Sequence, residues 1–373
     1  MTDRLRVGVI GCGLIAQVMH LPYLRELDDR FEVVALCDLS QTVVDECARR
    51  FGIGRAVTSW EAVVAADVDA VLVLTSGSHA PIAVAAASAG LHVFVEKPMC
   101  FSVEEGVEML DAARRAGVCL MVGYMKRFDP AVDRLREELS DIDEVSFVRV
   151  TTLESPIEPY VAHYPLVAPA TPLDAGVLHR LHADDERRIL GAIGSVDRLL
   201  ARVYRSVLLD SVVHELNLLR DLLGEPDRLD HVSLTDSVVT AILTFGGVQC
   251  VLAWVDLPGI ARYRQELVFY APDRRATLAF PSPFLRSEPT ELTLEAGDIG
   301  TSRSWRTVET TSYDEAFKRE LVEFHTAILD GRSPLTTGED GLRDIALCRA
   351  MILSNVERRP VDRPSEPRVA TLP

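Results

Sequence analysis

The chain has 373 residues, which is long for one domain and sufficient for two. With 48% hydrophobic and 25% charged residues, its composition is that of an ordinary globular protein. The net charge, 39 − 56 = −17, repels phosphate backbones and anionic lipid and so argues against nucleic-acid or membrane-surface partners.

The first part of the chain alternates short apolar runs with helical patterns. The apolar runs cover residues 5–10, 33–37, 70–74, 92–96 and 119–122. Runs of this length predict strands that are buried on both faces of a parallel sheet. Ser102 with Glu105 forms a capping box at the start of one intervening helix, and Gly117 ends it. This alternation predicts a doubly wound α/β domain over residues 1–124.

The pattern changes after this region, because apolar runs then follow one another with turn signals between them. These runs cover residues 144–153, 238–245, 248–255, 266–270 and 276–280. Consecutive strands without helices between them predict a largely antiparallel sheet, and hence a second, α+β domain over residues 125–360. We expect an insertion at about 156–205, closing helices at about 314–330 and 339–358, and a frayed tail at 361–373.

A glycine-rich loop follows the first predicted strand and opens a helix. Gly11-Cys12-Gly13-Leu14-Ile15-Ala16 fits the pattern G-x-G-x-x-G/A in the context that this motif requires. Gly11 permits the tight turn, Gly13 lets a pyrophosphate approach the backbone, and Ala16 lets helix and strand pack closely. The helix N-terminus faces the phosphates. We therefore predict a dinucleotide bound at Gly11, Gly13, Leu14, Ile15 and Ala16.

Asp38 ends the second predicted strand, where a carboxylate can accept hydrogen bonds from the adenosine ribose hydroxyls. A carboxylate there repels a 2′-phosphate, so NAD is favoured, although NADP remains possible because Arg49, Arg50 and Arg55 follow. The alternative is that Asp38 only caps the helix beginning near Ser40.

Four further motifs occur along the chain. They are Thr75-Ser76-Gly77-Ser78-His79, Glu96-Lys97-Pro98, the stretch from Gly123 to Pro130 that contains Arg127, and Asp210-x-x-x-His214. Together with the glycine loop, they resemble the T-P-N-x-x-H, E-K-P, G-(F/Y)-x-x-R-(F/Y)-x-P and D-x-x-x-H motifs of the Gfo/Idh/MocA oxidoreductase family. The first departs from its pattern, because Pro and Asn are absent. The insertion is longer than expected for the family, which puts the substrate in doubt more than the chemistry.

The resemblance implies a Rossmann domain followed by an α+β domain with a large, mostly antiparallel, open-faced sheet. It implies an NAD(P)-dependent enzyme that transfers a hydride to or from a sugar, nucleotide-sugar or cyclitol carbon, assembled as a homodimer or homotetramer. Its catalytic set is Lys97, Asp210 and His214. Its cofactor cleft is lined by Thr75, His79, Glu96, Lys97 and Arg127, although His79 has an equal alternative as a structural loop residue.

The residue types suit alcohol oxidation. Asp210, His214 and Asn217 fall on one stripe of a helix, opposite an apolar stripe. A neutral His214 can accept the hydroxyl proton, and Asp210, one turn earlier, can orient its ring. Lys97 can stabilise the developing alkoxide by its charge.

The insertion contains polar and aromatic residues that suit either a substrate lid or a solvated loop. These residues are Tyr160, His163, Tyr164, His179 and His182. His179 and His182 lack a convincing third ligand, so we predict no metal site.

Two other functions remain open on the same fold. One is redox-neutral glycoside cleavage, in which NAD transiently oxidises a sugar carbon. The other is a non-catalytic regulator that senses NAD or a sugar, although a regulator has no need of the Lys97, Asp210 and His214 set.

The seven cysteines are scattered and form no C-x-x-C pair, which is typical of reduced thiols rather than a disulfide framework. The first residues lack the order of a signal peptide, and no apolar run approaches the ~20 residues that cross a bilayer. We therefore expect a cytoplasmic protein.

Overall fold

The computed structural model describes residues 4–140, 142, 144–171 and 173–367. Within these ranges the chain forms two sheets, one of six strands and one of nine. The strands of the first sheet end at Gly123 and those of the second begin at Phe147. The predicted domain boundary at residue 124 lies between them and stays a prediction.

The first sheet is parallel, with strand order β3-β2-β1-β4-β5-β6. Its strands are β1 (Leu5–Ile10), β2 (Phe31–Cys37), β3 (Arg55–Val57), β4 (Ala70–Val73), β5 (His92–Glu96) and β6 (Leu120–Gly123). All five predicted strands are present, and β3 adds an edge that the sequence pattern did not indicate. The order reverses between β1 and β4, and this switch creates a crevice at the carboxyl ends of the strands, where ligands bind in such sheets.

Helices cover both faces of this sheet. They are a π-helical turn (Ala16–His20) that continues into α1 (Leu21–Glu26), then α2 (Gln41–Phe51), α3 (Glu61–Val64), α4 (Ala80–Ser88) and α5 (Val103–Ala116). The predicted capping box of α5 is confirmed, since Ser102 and Glu105 exchange hydrogen bonds and Gly117 ends the helix in the left-handed conformation.

The second sheet has the order β14-β13-β12-β11-β7-β10-β9-β8-β15. Its strands are β7 (Phe147–Glu154), β8 (Arg228–Leu234), β9 (Val238–Phe245), β10 (Val248–Asp256), β11 (Arg264–Tyr270), β12 (Arg274–Phe280), β13 (Glu291–Asp298), β14 (Arg303–Thr310) and β15 (Val361–Asp362). The pairing is antiparallel except between β7 and β10, which are parallel. The predicted fold class, a Rossmann domain with a mostly antiparallel second sheet, is therefore confirmed.

The remaining helices connect and cover the two sheets. They are a 3-10 turn (Met125–Phe128), α6 (Pro130–Ser140), α7 (Glu158–Val161), α8 (Ala175–Ile193), α9 (Arg198–Val203), a π-helical segment (Tyr204–Val212), α10 (Val213–Leu223), α11 (Ala316–Asp330) and α12 (Gly338–Glu357). The region predicted as an insertion is thus largely helical. The side chains Ile189, Ala192 and Ile193 at the end of α8 are buried, which fixes this helix to the core.

The predicted tail starts as an ordered segment rather than a frayed one. β15 pairs with β8, and Ser365 is buried. Residues 368–373 lie outside the described part of the chain. Within the described ranges, none of the helices combines the length and the apolar character needed to cross a bilayer.

Candidate active site

The glycine loop lies at the carboxyl edge of the first sheet, between β1 and β4. Gly11 has φ +101°, and a Cβ there would lie 2.7 Å from the Leu74 carbonyl carbon, so only glycine fits. At Gly13, in contrast, a Cβ would meet nothing within 4 Å. Ala16 is fully buried against the core. A closely packed turn that faces open space on its other side is what a dinucleotide pyrophosphate requires.

Asp38 is fixed beside this loop. Its Oδ2 accepts a hydrogen bond from the Cys12 N–H at 3.0 Å, and its Oδ1 accepts one from the Ser40 N–H at 2.9 Å. The helix cap itself is Ser40, whose hydroxyl accepts the Val43 N–H. Asp38 therefore does not serve as the N-cap, and its position next to the loop fits a ribose-binding carboxylate. The glycine loop and the Asp38 carboxylate beside it therefore fit NAD.

The three arginines that follow Asp38 are engaged within the protein. Arg49 binds Glu46 through two nitrogens, Arg50 donates to the Pro165 carbonyl, and Arg55 donates to the Ala62 carbonyl. A 2′-phosphate would have to draw one of them away from these partners.

Lys97 follows β5 directly and reaches across to the second half of the molecule. Its Nζ donates to Asp210 Oδ1 at 2.6 Å and to the Asp210 carbonyl at 2.8 Å. Burial opposes the charged form of Lys97, but the Asp210 carboxylate outweighs it, so the pKa of Lys97 is raised above its ordinary value. The ammonium is thus present at neutral pH and only partly exposed, at 21% of its side chain.

Asp210 lies in the π-helical segment, whereas His214 lies in the first turn of α10. The prediction that Asp210 orients His214 is wrong for this structure, because Asp210 binds Lys97 and the buried His214 Nδ1 has no partner among the described residues. Asn217, expected on the same polar stripe, is buried and donates to Asp344 at 2.7 Å.

His214 is held neutral. Burial lowers its pKa well below the ordinary value, and the ammonium groups of Lys126 and Lys97 lower it further. Its ring also meets Tyr124 edge-on, with centroids 6.4 Å apart. Both lysines therefore act on the same imidazole, which can accept a proton at neutral pH.

A polar network that the sequence pattern did not reveal lies next to His214. Lys126 is buried and donates to Gln265 Oε1 and to Tyr263 at 3.3 Å. Gln265 Nε2 donates in turn to Glu215, 2.5 Å away, which also accepts the Thr152 hydroxyl at 2.5 Å. Burial lowers the pKa of Lys126 to about 8. The signal available in the sequence was weak: Gln265 and Thr152 are polar residues at core-facing positions of apolar strands.

A second set of polar groups extends this network. Glu154, at the end of β7, accepts the Ser211 hydroxyl at 3.0 Å, and Ser211 accepts the Trp254 indole N–H at 3.0 Å. Ser211 directly follows Asp210. The end of the second sheet nearest Lys97 therefore presents hydroxyl, carboxylate and amide groups, which are suited to polyhydroxylated molecules.

Three residues predicted to line the cofactor cleft have other partners. His79 is buried, with its two ring nitrogens 2.8 Å from the Pro98 carbonyl and 2.7 Å from the Thr75 carbonyl. Arg127 is buried and pairs with Asp221 at 2.7 Å. His79 thus joins the Thr75 loop to the turn after Lys97, and Arg127 joins elements of the fold, while their place in the cofactor cleft stays a prediction.

Glu96 is the third of these residues, and it too is buried. It accepts a hydrogen bond from His20 Nε2 at 2.6 Å and from the Lys97 N–H at 3.1 Å. Thr75 stays next to the glycine loop, since a Cβ at Gly11 would lie 2.8 Å from the Thr75 nitrogen.

Among the described residues, one group offers three potential metal ligands within 4.8 Å of one another: His20, Glu96 and Glu320. Its His20–Glu96 distance of 2.6 Å is that of a hydrogen bond. Two ligands of one tetrahedral ion at ~2.0 Å would be farther apart, about 3.3 Å. As arranged, His20 and Glu96 form a hydrogen-bonded pair beside Glu320 rather than part of a coordination shell. The prediction of no metal stays a prediction.

The region predicted as a possible lid contacts both halves of the site. Gln17, just after the glycine loop, exchanges two hydrogen bonds with the main chain of Val167, at 3.0 and 2.7 Å. Tyr160 accepts the Tyr263 N–H at 2.5 Å, and Tyr164 donates to the Phe284 carbonyl at 2.9 Å. Tyr160 and Tyr164 are therefore bound to the protein, whereas His163, His179 and His182 of the same region are exposed.

Cavity volume alone would not locate this site. Two concave regions have volumes of about 50 and 290 Å³, and neither is lined by Lys97, Asp210 or His214, although Lys126 lines the smaller one. The larger one lies beside His92 and Cys119, at the opposite edge of the first sheet.

Comparisons with known proteins agree with this geometry. Residues 5–124 match the Gfo/Idh/MocA model, described as an oxidoreductase family with an NAD-binding Rossmann fold. The chain is 25% identical to a myo-inositol 2-dehydrogenase of Thermotoga maritima, over 96% of this chain and 98% of the relative. It is 26% identical to an inositol 2-dehydrogenase of Rhizobium meliloti, over 95% and 98%. A levoglucosan dehydrogenase in complex with NADH has the same fold, with TM-score 0.74, 20% identity and coverage of 96% and 99%.

Proposed function

The chain belongs to the Gfo/Idh/MocA family of NAD(P)-dependent oxidoreductases. From this premise we propose that it transfers a hydride between NAD and a hydroxyl-bearing carbon of a cyclic polyol, either a cyclitol or a sugar. The observation that carries the proposal is the Lys97–Asp210 ion pair, 2.6 Å long, which joins the nucleotide-binding half to the π-helical segment that leads directly into α10 and His214. The names of the relatives, inositol and levoglucosan dehydrogenases, support the substrate class.

In the oxidative direction, the substrate hydroxyl must lose a proton as its carbon loses a hydride. Neutral His214 accepts that proton, because its depressed pKa keeps a ring nitrogen unprotonated. The Lys97 ammonium donates a hydrogen bond to the same oxygen and stabilises the negative charge that develops on it. Bound NAD⁺ supplies the hydride acceptor. In the reductive direction, His214 returns the proton to the ketone oxygen.

Asp210 has a different role from the one its spacing suggested. Its carboxylate and carbonyl both accept hydrogen bonds from Lys97, so it fixes the ammonium and keeps it charged. This places Asp210 in the proposed site through Lys97 rather than through His214.

The hydroxyls of the substrate that do not react need partners of their own. Lys126, Tyr263 and Glu154 supply donors and acceptors close to His214, and their fixed network suits a ring with several hydroxyls. Because Asp38 lies beside the glycine loop and the nearby arginines are engaged, we propose NAD as the preferred cofactor.

The test is the absorbance of reduced nicotinamide during incubation with NAD⁺ or NADP⁺ and a panel of myo-inositol, levoglucosan, D-glucose and a UDP-sugar. We expect steady NADH formation with at least one cyclic polyol and slower turnover with NADP⁺. In Lys97→Met, the turnover should fall by roughly 10²–10³-fold, while NADH binding, measured by its fluorescence, is retained. Near-normal turnover of this variant would overturn the proposal. Release of a free sugar from a glycoside without net NADH would instead indicate redox-neutral cleavage.

A further inference from the structure

Three buried ionisable side chains meet beneath Lys97. His20 comes from the π-helical turn after the glycine loop, Glu96 from the end of β5, and Glu320 from α11 in the second half of the molecule. His20 and Glu320 are 0% exposed, and the Glu96 side chain is 8% exposed. The cluster thus joins three distant parts of the chain, and none of its members is required to contact substrate.

Glu320 is the unusual member. Both of its carboxylate oxygens are buried, and neither contacts a hydrogen-bond donor among the described residues. Leaving a carboxylate charged and unpaired in the interior costs far more free energy than protonating it. Burial and the neighbouring Glu96 charge both raise the pKa of Glu320 well above its ordinary value. Both causes favour the protonated carboxylic acid, and a carboxylate oxygen of Glu96 lies within 4.8 Å of one of Glu320, where it can accept from its O–H.

Glu96 connects this cluster to the main chain of Lys97. Its Oε1 accepts the hydrogen bond from His20 Nε2 at 2.6 Å, and its Oε2 accepts the Lys97 main-chain N–H at 3.1 Å. The His20 ring is itself held between Phe94 and Phe317, with ring centroids 5.5 and 5.8 Å away. A carboxylate with donors on both oxygens has a fixed orientation, so the backbone from which the Lys97 side chain departs is fixed as well.

We propose that His20 and Glu320 are positioning residues, which hold Glu96 and through it aim the Lys97 ammonium at the reacting oxygen. This inference rests on the role of Lys97 in the proposed function. In this inference, α11 belongs to the second half of the molecule but helps to set the position of Lys97, which lies in the nucleotide-binding half.

The test compares Glu320→Gln with Glu320→Met in the full-length protein, with NAD⁺ and myo-inositol, or with the panel polyol that is turned over fastest. Gln has nearly the shape of Glu and keeps an N–H donor for Glu96, so its turnover should stay close to that of the native protein. Met fills the space but donates nothing, so turnover should fall by roughly 10- to 100-fold, as expected for a displaced catalytic group. The KM for NAD⁺ and the melting temperature should be unchanged. Glu323→Met, on the same helix, is the matched control and should leave turnover unchanged.

A double-mutant cycle with Lys97→Met separates positioning from general damage. If Glu320 acts through Lys97, adding Glu320→Met to Lys97→Met causes no further loss of turnover; a further loss would overturn the inference. If Lys97→Met alone has no effect, the proposed function itself fails. If only Glu320→Met has no effect, the proposed function stands and the positioning role is rejected. Should Glu320→Met not fold, His20→Gln, which keeps a donor, and His20→Leu, which does not, test the other end of the cluster in the same way.

Discussion

At the scale of single residues, the electrostatics of the proposed site are set by two ammonium groups and one imidazole. Lys97 is neutralised by Asp210, whereas Lys126 is bound only by neutral groups, Gln265 and Tyr263, within the described part of the chain. The neutral Gln265 side chain separates the Glu215 carboxylate from Lys126. His214 is therefore exposed to a net positive potential in a buried setting, which favours its uncharged form.

This arrangement predicts an unusual pH dependence. Because burial, Lys126 and Lys97 lower the pKa of His214 from 6.5, the imidazole stays unprotonated as the pH falls through 6.5. The acid limb of kcat in the oxidative direction should therefore have its midpoint below pH 6.5. Replacing Lys126 by Met removes one positive charge, so the midpoint should move to higher pH. Initial rates of NADH formation between acidic and neutral pH measure both.

The matched control for this shift is Lys318→Met, which removes a lysine from the surface, where it pairs with Glu26. It changes the net charge by the same amount and should leave the midpoint in place. If both variants shift the profile equally, the effect is one of overall charge and His214 is not the group that titrates.

Cofactor choice is also decided at single residues. Asp38→Ala removes the carboxylate that repels a 2′-phosphate and would accept ribose hydrogen bonds. We expect the Kd for NADH to rise by about tenfold, equivalent to one charged hydrogen bond, and the preference over NADPH to shrink. Fluorescence titration with both nucleotides measures the two constants. Asp45→Ala, on the exposed side of α2, should change neither; equal losses in both variants would contradict the assignment.

The sequence predicted part of this residue-level picture. Motif resemblance implied that Lys97, Asp210 and His214 belong to one site, and the structure brings Lys97 and Asp210 into contact. The predicted partner of Asp210 was wrong. No feature of the local sequence indicates the π-helical segment Tyr204–Val212, which breaks the regular helical period that the prediction assumed. The partners of Glu96 were also missed, because His20 and Glu320 are brought to it only by tertiary packing.

At the scale of elements, the first sheet was the more predictable half. Most of its strands are continuous apolar runs and two of its helices, α2 and α5, carry side-chain caps, so local sequence and tertiary structure agree there. In the second sheet, β14 was missed because its side chains are almost all exposed, and it lacks the apolar alternation that marks a strand. β8 and β13 were missed as well, and both lie near polar turns.

The α5 capping box gives a prediction at this scale. Ser102→Ala removes the acceptor for the Glu105 N–H at 3.1 Å and should lower the free energy of unfolding by about 1 kcal/mol. Glu105→Ala should cost more, because Glu105 also accepts from Phe101, Ser78 and Arg188. Urea unfolding followed by circular dichroism measures both. Ser140→Ala, at an exposed helix end, is the control, and a loss of equal size there would argue against a specific cap effect.

At the scale of the whole molecule, the C-terminal segment connects the two sheets. Thr336 extends the edge of the first sheet, exchanging hydrogen bonds with the main chain of Val122 at 2.7 and 3.0 Å. α12 then packs so closely on β6 that a Cβ at Gly341 would lie 3.0 Å from Val122 Cγ2. The same helix covers β8 of the second sheet. Through α12, the two halves therefore share part of their packed core.

A buried ion pair anchors α12 to α10 within this shared core. Arg220 and Asp344 lie 2.5 Å apart, with side chains 3% and 0% exposed, and Asn217 donates to the second oxygen of Asp344. Asp344→Ala removes the fully buried partner of the Arg220 guanidinium and leaves it with the more exposed Glu225 and Asp340, so the free energy of unfolding should fall by roughly 3–5 kcal/mol. Glu225→Ala, which removes only the half-exposed partner, should cost less than about 1 kcal/mol. Arg220→Met combined with Asp344→Leu should recover much of the loss, because no unpaired charge remains. Urea unfolding followed by tryptophan fluorescence measures all three, and a cost of Asp344→Ala no larger than that of Glu225→Ala would show that this ion pair does not anchor α12 to α10.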